Sequence, residues 1–267
     1  MSEYPCDQPI SVNITLTSGE CTVIAEQRDT AAVTIEPYKR DNKSKEAAEL
    51  TKVDFTDGRL TIRGPEGVTG WLLGRGSGSI DVTVRVPMQS SVSVKSATAP
   101  LWLRGRLAKV SATTASGPIE VEQAAECSVN TASGDIHVTA CHGPANANTV
   151  SGDLQIDHVT GDIRAKSVSG DVRIEHSDGS VQANSVSGDI TLGSVRTGLC
   201  KVNSVSGSLA IGIPSGTGVW MDLNSISGTT SSDLAIGDMP TDSPKSNMEI
   251  RATSVSGDIE IFRANTR

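Results

Sequence analysis

Residues 152–192 read GDLQIDHVTGDIRAKSVSGDVRIEHSDGSVQANSVSGDITL, and a glycine returns at Gly152, Gly161, Gly170, Gly179 and Gly188. Each glycine is followed at the second and fourth places by aliphatic or small residues: Leu154/Ile156, Ile163/Ala165, Val172/Ile174, Val181/Ala183 and Ile190/Leu192. Most blocks carry another aliphatic at the seventh place. A short fixed period means one supersecondary unit, repeated and stacked. The fourth place alternates between a large residue (Ile156, Ile174, Leu192) and alanine (Ala165, Ala183), so two blocks, about eighteen residues, make one coil. Equivalent positions of successive coils then form columns at about 4.8 Å, the spacing of paired strands. The fold class is all-β: a parallel β-solenoid of the β-helix or β-roll kind.

The same frame extends outward. Ser90, Ala99, Ala108, Gly117 and Ala125 occupy the glycine place upstream. Downstream the frame slips at Gly198, resumes at Gly207 and absorbs an insertion around Ser215-Gly216-Thr217. It runs on through Val219 and Gly228 and returns in MEIRATSVSGDIEI from Met248. Residues 90–267 therefore form the repeat region, with the Pro-, Asp- and Ser-rich stretch at 237–247 expected as a surface loop. Residues 1–89 hold alternating strand runs such as ISVNITL, ECTVIAEQ and SIDVTVRVP. They are expected to form an N-terminal β lead-in or cap, continuous with the stack. DNKSKEAAELTK is the single helix-capable stretch. Two corner positions stay open: the Ser-Gly-Asp triplet, which is turn chemistry, or a polar pair such as Asn184-Ser185.

Composition bounds function. With a formal charge of −8 over 267 residues, the chain lacks the basic stripe a nucleic-acid partner requires. Cys6, Cys21, Cys127, Cys141 and Cys200 make an odd set without CxxC or zinc spacing, and read as reduced, mostly buried thiols. The start MSEYPCDQPISVNITL has no signal-peptide pattern and no run reaches membrane-span length. A cytoplasmic protein is expected, with a surface role only through leaderless export.

The SGDI-type blocks, the DGRLTI turn (Asp57–Ile62) and the V-x-V-x-VP strand (Val82–Pro87) together resemble the bacterial putative-adhesin family, domain of unknown function 4097. The resemblance covers nearly the whole chain. It implies the SGD-repeat β-solenoid fold and brings no catalytic residues to carry over.

Candidate chemistry is sparse. Asp135, Asp153, Asp162, Asp171, Asp189 and Asp258 each follow a repeat glycine. Calcium β-rolls need Gly-Gly-x-Gly-x-Asp in each nonapeptide; here the second glycine and the second acid are missing, so local turn capping is expected. His158 and His176 each follow an acid, Asp157 and Glu175, one coil apart. Stacked, these four would bring two imidazoles and two carboxylates toward one soft divalent ion; solvated corner residues explain the same pattern. Trp102 and Trp220 fall at outward offsets, where an indole stacks on sugars or partner proteins. Gly74–Gly78 lacks the strand–loop–helix setting of a phosphate loop, and no hydrolase, zincin or Walker motif occurs. A non-enzymatic binding or scaffold protein is expected, without cofactor, for an unknown protein or glycan partner. Two alternatives stand beside it: a carbohydrate-active enzyme on a β-helix scaffold, and an intracellular protein that self-associates end to end.

Overall fold

A computed structural model describes residues 2–65, 78–234 and 248–264. The surface loop expected at 237–247 lies outside the described residues, as does all of the Gly74–Gly78 motif except Gly78. The chain divides into two compact units, Met1–Thr139 and Ala140–Arg267.

The second unit shows the coil most plainly. Strand Leu154–Val159 pairs in parallel with Val172–Ser177, which pairs with Ile190–Val195. Strand Ile163–Lys166 likewise pairs with Val181–Ser187, and that with Gly198–Ser206. Leu154 faces Val172 and Ile163 faces Val181, an offset of eighteen residues, so each coil is two strands and two corners. The interior is columnar. Ile156, Ile174, Leu192 and Ile211 form one buried column, and Ala165, Ala183, Val202 and Ala252 another. Large residues in one strand and small ones in the other fill a narrow interior without voids.

The Ser-Gly-Asp triplet is the corner; Asn184-Ser185 lies inside a strand. Two kinds of corner occur. Where threonine stands three places before the glycine, its hydroxyl caps the turn. Thr114, Thr131 and Thr149 Oγ1 accept from the N–H of Gly117, Gly134 and Gly152 at 3.0–3.1 Å. Where serine replaces it, the glycine swings to positive φ. Its N–H then joins the ladder: Gly170 (φ 134°) donates to Ser187 O and Gly188 (φ 140°) to Ser206 O, each at 3.1 Å. Only glycine adopts that backbone cheaply. A Cβ on Gly188 would also sit 2.3 Å from Gly170 O.

Stack order departs from sequence order. Strands Met248–Ser256 and Ile259–Arg263 pair on one side with Gly198–Ser206 and Leu209–Ile213. On the other side they pair with Val219–Ser227 and Thr230–Ser232. The last coil of the sequence is therefore inserted between the two before it. The first unit repeats this device. Ser11–Thr15 lies between Arg59–Arg63 and Ser91–Lys95, and Gly19–Glu26 between Ile80–Pro87 and the start of Leu101–Thr114. Beyond that coil, antiparallel strands Lys52–Thr56 and Thr30–Pro37 cover the edges of Arg59–Arg63 and Ile80–Pro87, and Ser2–Pro5 edges Thr30–Pro37. The helix-capable stretch folds as Asn42–Leu50, capped by Asp41 Oδ1 accepting from Ser44 N–H at 2.7 Å.

Candidate functional site

Five of the six repeat aspartates hydrogen-bond a neighbouring coil. Asp153 Oδ1 accepts from Asp171 N–H, Asp171 from Asp189 N–H and Asp189 from Ser208 N–H, at 2.8–2.9 Å. Asp258 Oδ1 accepts the N–H and the hydroxyl of Thr229, both at 2.8 Å, which holds its carboxyl below the usual range. Asp162 serves Ser180 N–H at the opposite corner. The column of like charges is thus a hydrogen-bonded ladder tying coil to coil.

His158 and His176 lie in register on adjacent strands, ring centroids 6.4 Å apart. Of the carboxylates beside them, Asp157 accepts from Gln155 Nε2 at 2.9 Å, and Glu175 lies 3.8 Å from Arg173. Asp178, which the sequence did not single out, approaches His158 Nε2 at 3.9 Å while pairing with Arg196 at 3.4 Å. Among the described residues no three His, Cys, Asp or Glu side chains converge on a metal position. Trp102 is half-buried between Thr22 and Glu120 in register, whereas Trp220 is exposed beside Glu249 on the outermost pair of strands in the second unit. All five cysteines are buried and none forms a disulfide; burial pushes the thiols of Cys21 and Cys200 up to about 12.

One feature is not apparent in the nonapeptide pattern. Val150, Val168, Val186, Val205 and Val255 are each 43–50% exposed, and Ile226 is 76% exposed. They share the corner before Ser-Gly, one per coil, as the register of the neighbouring serines shows (Ser187 with Ser206, Ser206 with Ser256, Ser227 with Ser256). Six coils at strand spacing make an aliphatic stripe about 24 Å long, edged by exposed Ser151, Ser169, Ser187, Ser206, Ser256 and Ser227. The nonapeptide frame hides it. Val159 and Val168 both stand seven places after a glycine, yet Val159 is buried at one corner and Val168 is exposed at the other. The eighteen-residue period was the signal that separates them.

The family model described as Toastrack DUF4097 matches residues 11–261. The chain belongs to the Toastrack family. Crystal structures that match along most of its length share little sequence with it. A putative cell adhesion protein from Clostridium sporogenes is 11% identical, over 98% of this chain and 99% of that one, with a TM-score of 0.30. A putative lipid binding protein from Parabacteroides distasonis is 14% identical, over 97% and 95%, with a TM-score of 0.46. A putative adhesin from Parabacteroides merdae is 10% identical, over 97% and 94%, with a TM-score of 0.41. No curated protein matches the chain. Among the described residues of this Toastrack protein, no helix is long and apolar enough to cross a membrane.

Proposed function

We propose that this chain is a non-enzymatic binding scaffold whose second unit presents its aliphatic stripe to a protein partner. The observation that carries the reading is the in-register exposure of Val150, Val168, Val186, Val205, Val255 and Ile226. Single exposed aliphatics are ordinary, but a contiguous row of them is the mark of an interaction surface. The row is made of methyl groups, not rings. Glycan sites stack sugars on aromatic faces, and no aromatic residue belongs to this column, so a protein surface fits better than a sugar. The repeat acids support a non-catalytic reading, because Asp153, Asp171 and Asp189 are committed to backbone amides.

The test is photo-crosslinking in the native cell, with p-benzoylphenylalanine placed at position 186 and, as a control, at the exposed position 182. A discrete adduct from 186 alone, abolished by Val168→Asp with Val205→Asp, is the expected result. Equal adducts from both positions, or adducts that survive the double substitution, contradict it. A second reading, end-to-end self-association, rests on the outermost strands of the second unit. Among the described residues Val219–Ser227 and Thr230–Ser232 each have one strand partner, and Val219, Met221 and Leu223 are half-exposed. Concentration-dependent mass in analytical ultracentrifugation would favour it.

A further inference from the structure

In the first unit, three turns converge on a cleft of about 670 Å³. They are the connection after Ser2–Pro5, the Asp57-Gly58 hairpin turn and the turn following Ile80–Pro87. The volume falls within the range of small-molecule sites, about 300–1,000 Å³.

We propose that this cleft binds a small organic cation, a molecule carrying one or more amine or ammonium groups. Asp7 and Asp57 line it, and among the described residues no Lys, Arg or His does. Among the described residues neither carboxylate has an ion-pair or hydrogen-bond partner, so their charge stands open to the cleft. The amides of Gln8 and Gln89 add hydrogen-bond acceptors. Phe55, half-buried and packed against Tyr4 with centroids 5.2 Å apart, supplies an aromatic wall. Carboxylate charge beside a ring face is the environment that selects an organic cation over a neutral molecule of the same shape. A bare divalent ion fits less well, because no third metal-ligating side chain joins the two acids among the described residues.

Backbone strain points to the same place. Asp57 (φ 50°) and Gln89 (φ 63°) are the two non-glycine residues with left-handed backbone among those described, and both line the cleft. The Asp-Gly hairpin turn accounts for Asp57. Gln89 is the third residue of a β-turn closed by Ser90 N–H donating to Pro87 O at 3.3 Å, and further hydrogen bonds fix it there. Its N–H donates to Arg106 O at 2.9 Å; the buried Ser90 hydroxyl donates to Pro87 O at 2.7 Å and accepts from Ile10 N–H at 3.1 Å. Strained residues over-determined by their surroundings gather at ligand sites.

The test is an amide-resolved NMR titration of the full chain with 1,4-diaminobutane, in parallel with 1,4-butanediol and with magnesium chloride at matched ionic strength. Diaminobutane alone is expected to shift the amides of Asp7, Gln8, Gly58, Gln89 and Ser91. Asp7→Asn with Asp57→Asn should weaken that binding at least tenfold; asparagine tolerates the left-handed turn, so the fold survives and spectral dispersion verifies it. Phe55→Leu should weaken it several-fold. Equal shifts with the diol or with magnesium, no shift at these amides, or unchanged binding by the Asp7/Asp57 variant would each overturn the proposal.

Discussion

At the scale of the residue, the hydroxyls buried three places before the repeat glycines differ in what they bond. Thr149 Oγ1 receives Gly152 N–H, whereas the buried Ser167, Ser185 and Ser204 Oγ atoms have no hydrogen-bond partner. Removing a hydrogen-bonded group should cost stability, while removing an unsatisfied buried hydroxyl should not. Thr149→Ala is therefore expected to lose about 1–3 kcal/mol, and Ser185→Ala to be neutral or stabilising. Urea-melt midpoints of the two variants check the contrast. The carboxylates differ in the same way. Thr229 holds the Asp258 carboxyl below the ordinary value and Ser44 does so for Asp41, so their contribution is complete above about pH 4 and fades as pH falls further. Asp81 runs opposite. Burial, then Glu20 and Glu36, which face it in register, raise its carboxyl, and its Oδ1 is buried without a partner. Ionisation at Asp81 thus weakens the fold as pH rises through its raised value. Asp81→Asn should raise the melting temperature at pH 7 and leave it unchanged near pH 3, where both carboxyl forms are neutral; thermal melts at the two pH values decide.

At the scale of the element, corners hold the coils in line. The Asp153–Asp171–Asp189 ladder places carboxylate oxygens on backbone amides, which leaves no oxygen shell for calcium to complete. Melts with excess EDTA and with millimolar Ca²⁺ should superimpose; a rise of several degrees with calcium would contradict the assignment. The glycine column is the other half of the corner. Gly188→Ala combines left-handed strain, about 1–3 kcal/mol, with the approach of its Cβ to Gly170 O. It should destabilise more than Thr149→Ala in the same urea series. Between corners, the interior columns predict that Ala165→Leu overpacks, costing about 1–3 kcal/mol. Ile174→Ala should leave a cavity costing about 2–5 kcal/mol.

At the scale of the whole molecule, the period was legible and the order was not. Leu154, Val172 and Ile190 announce a buried column because interior positions tolerate only apolar residues of matched size. Residues 198–206, 219–227 and 248–256 all end in a Ser-x-Ser run before glycine, so their chemistry permits any of them to pair with any other. Nothing local in those residues encodes which coil is the neighbour. The corners were ambiguous for a related reason: Val168-Ser169-Gly170-Asp171 alternates like a strand, yet Val168 and Ser169 are both exposed. The His158–His176 pairing followed from the period, but the turning of Asp157 and Glu175 toward Gln155 and Arg173 did not, since long side chains choose partners from three-dimensional neighbours.

The final coil of the sequence sits inside the stack of its unit. Exposed Lys201 faces Arg251, which in turn faces Asp222. Neighbouring strands place Cα atoms about 4.8 Å apart and next-but-one strands about 9.6 Å, against a disulfide limit near 7 Å. The five native thiols are buried. Oxidative crosslinking followed by peptide mass spectrometry therefore distinguishes the two orders directly. Lys201→Cys with Arg251→Cys should form a disulfide, and Lys201→Cys with Asp222→Cys should not. The reverse outcome would show that the coils stack in sequence order and would contradict the inserted coil.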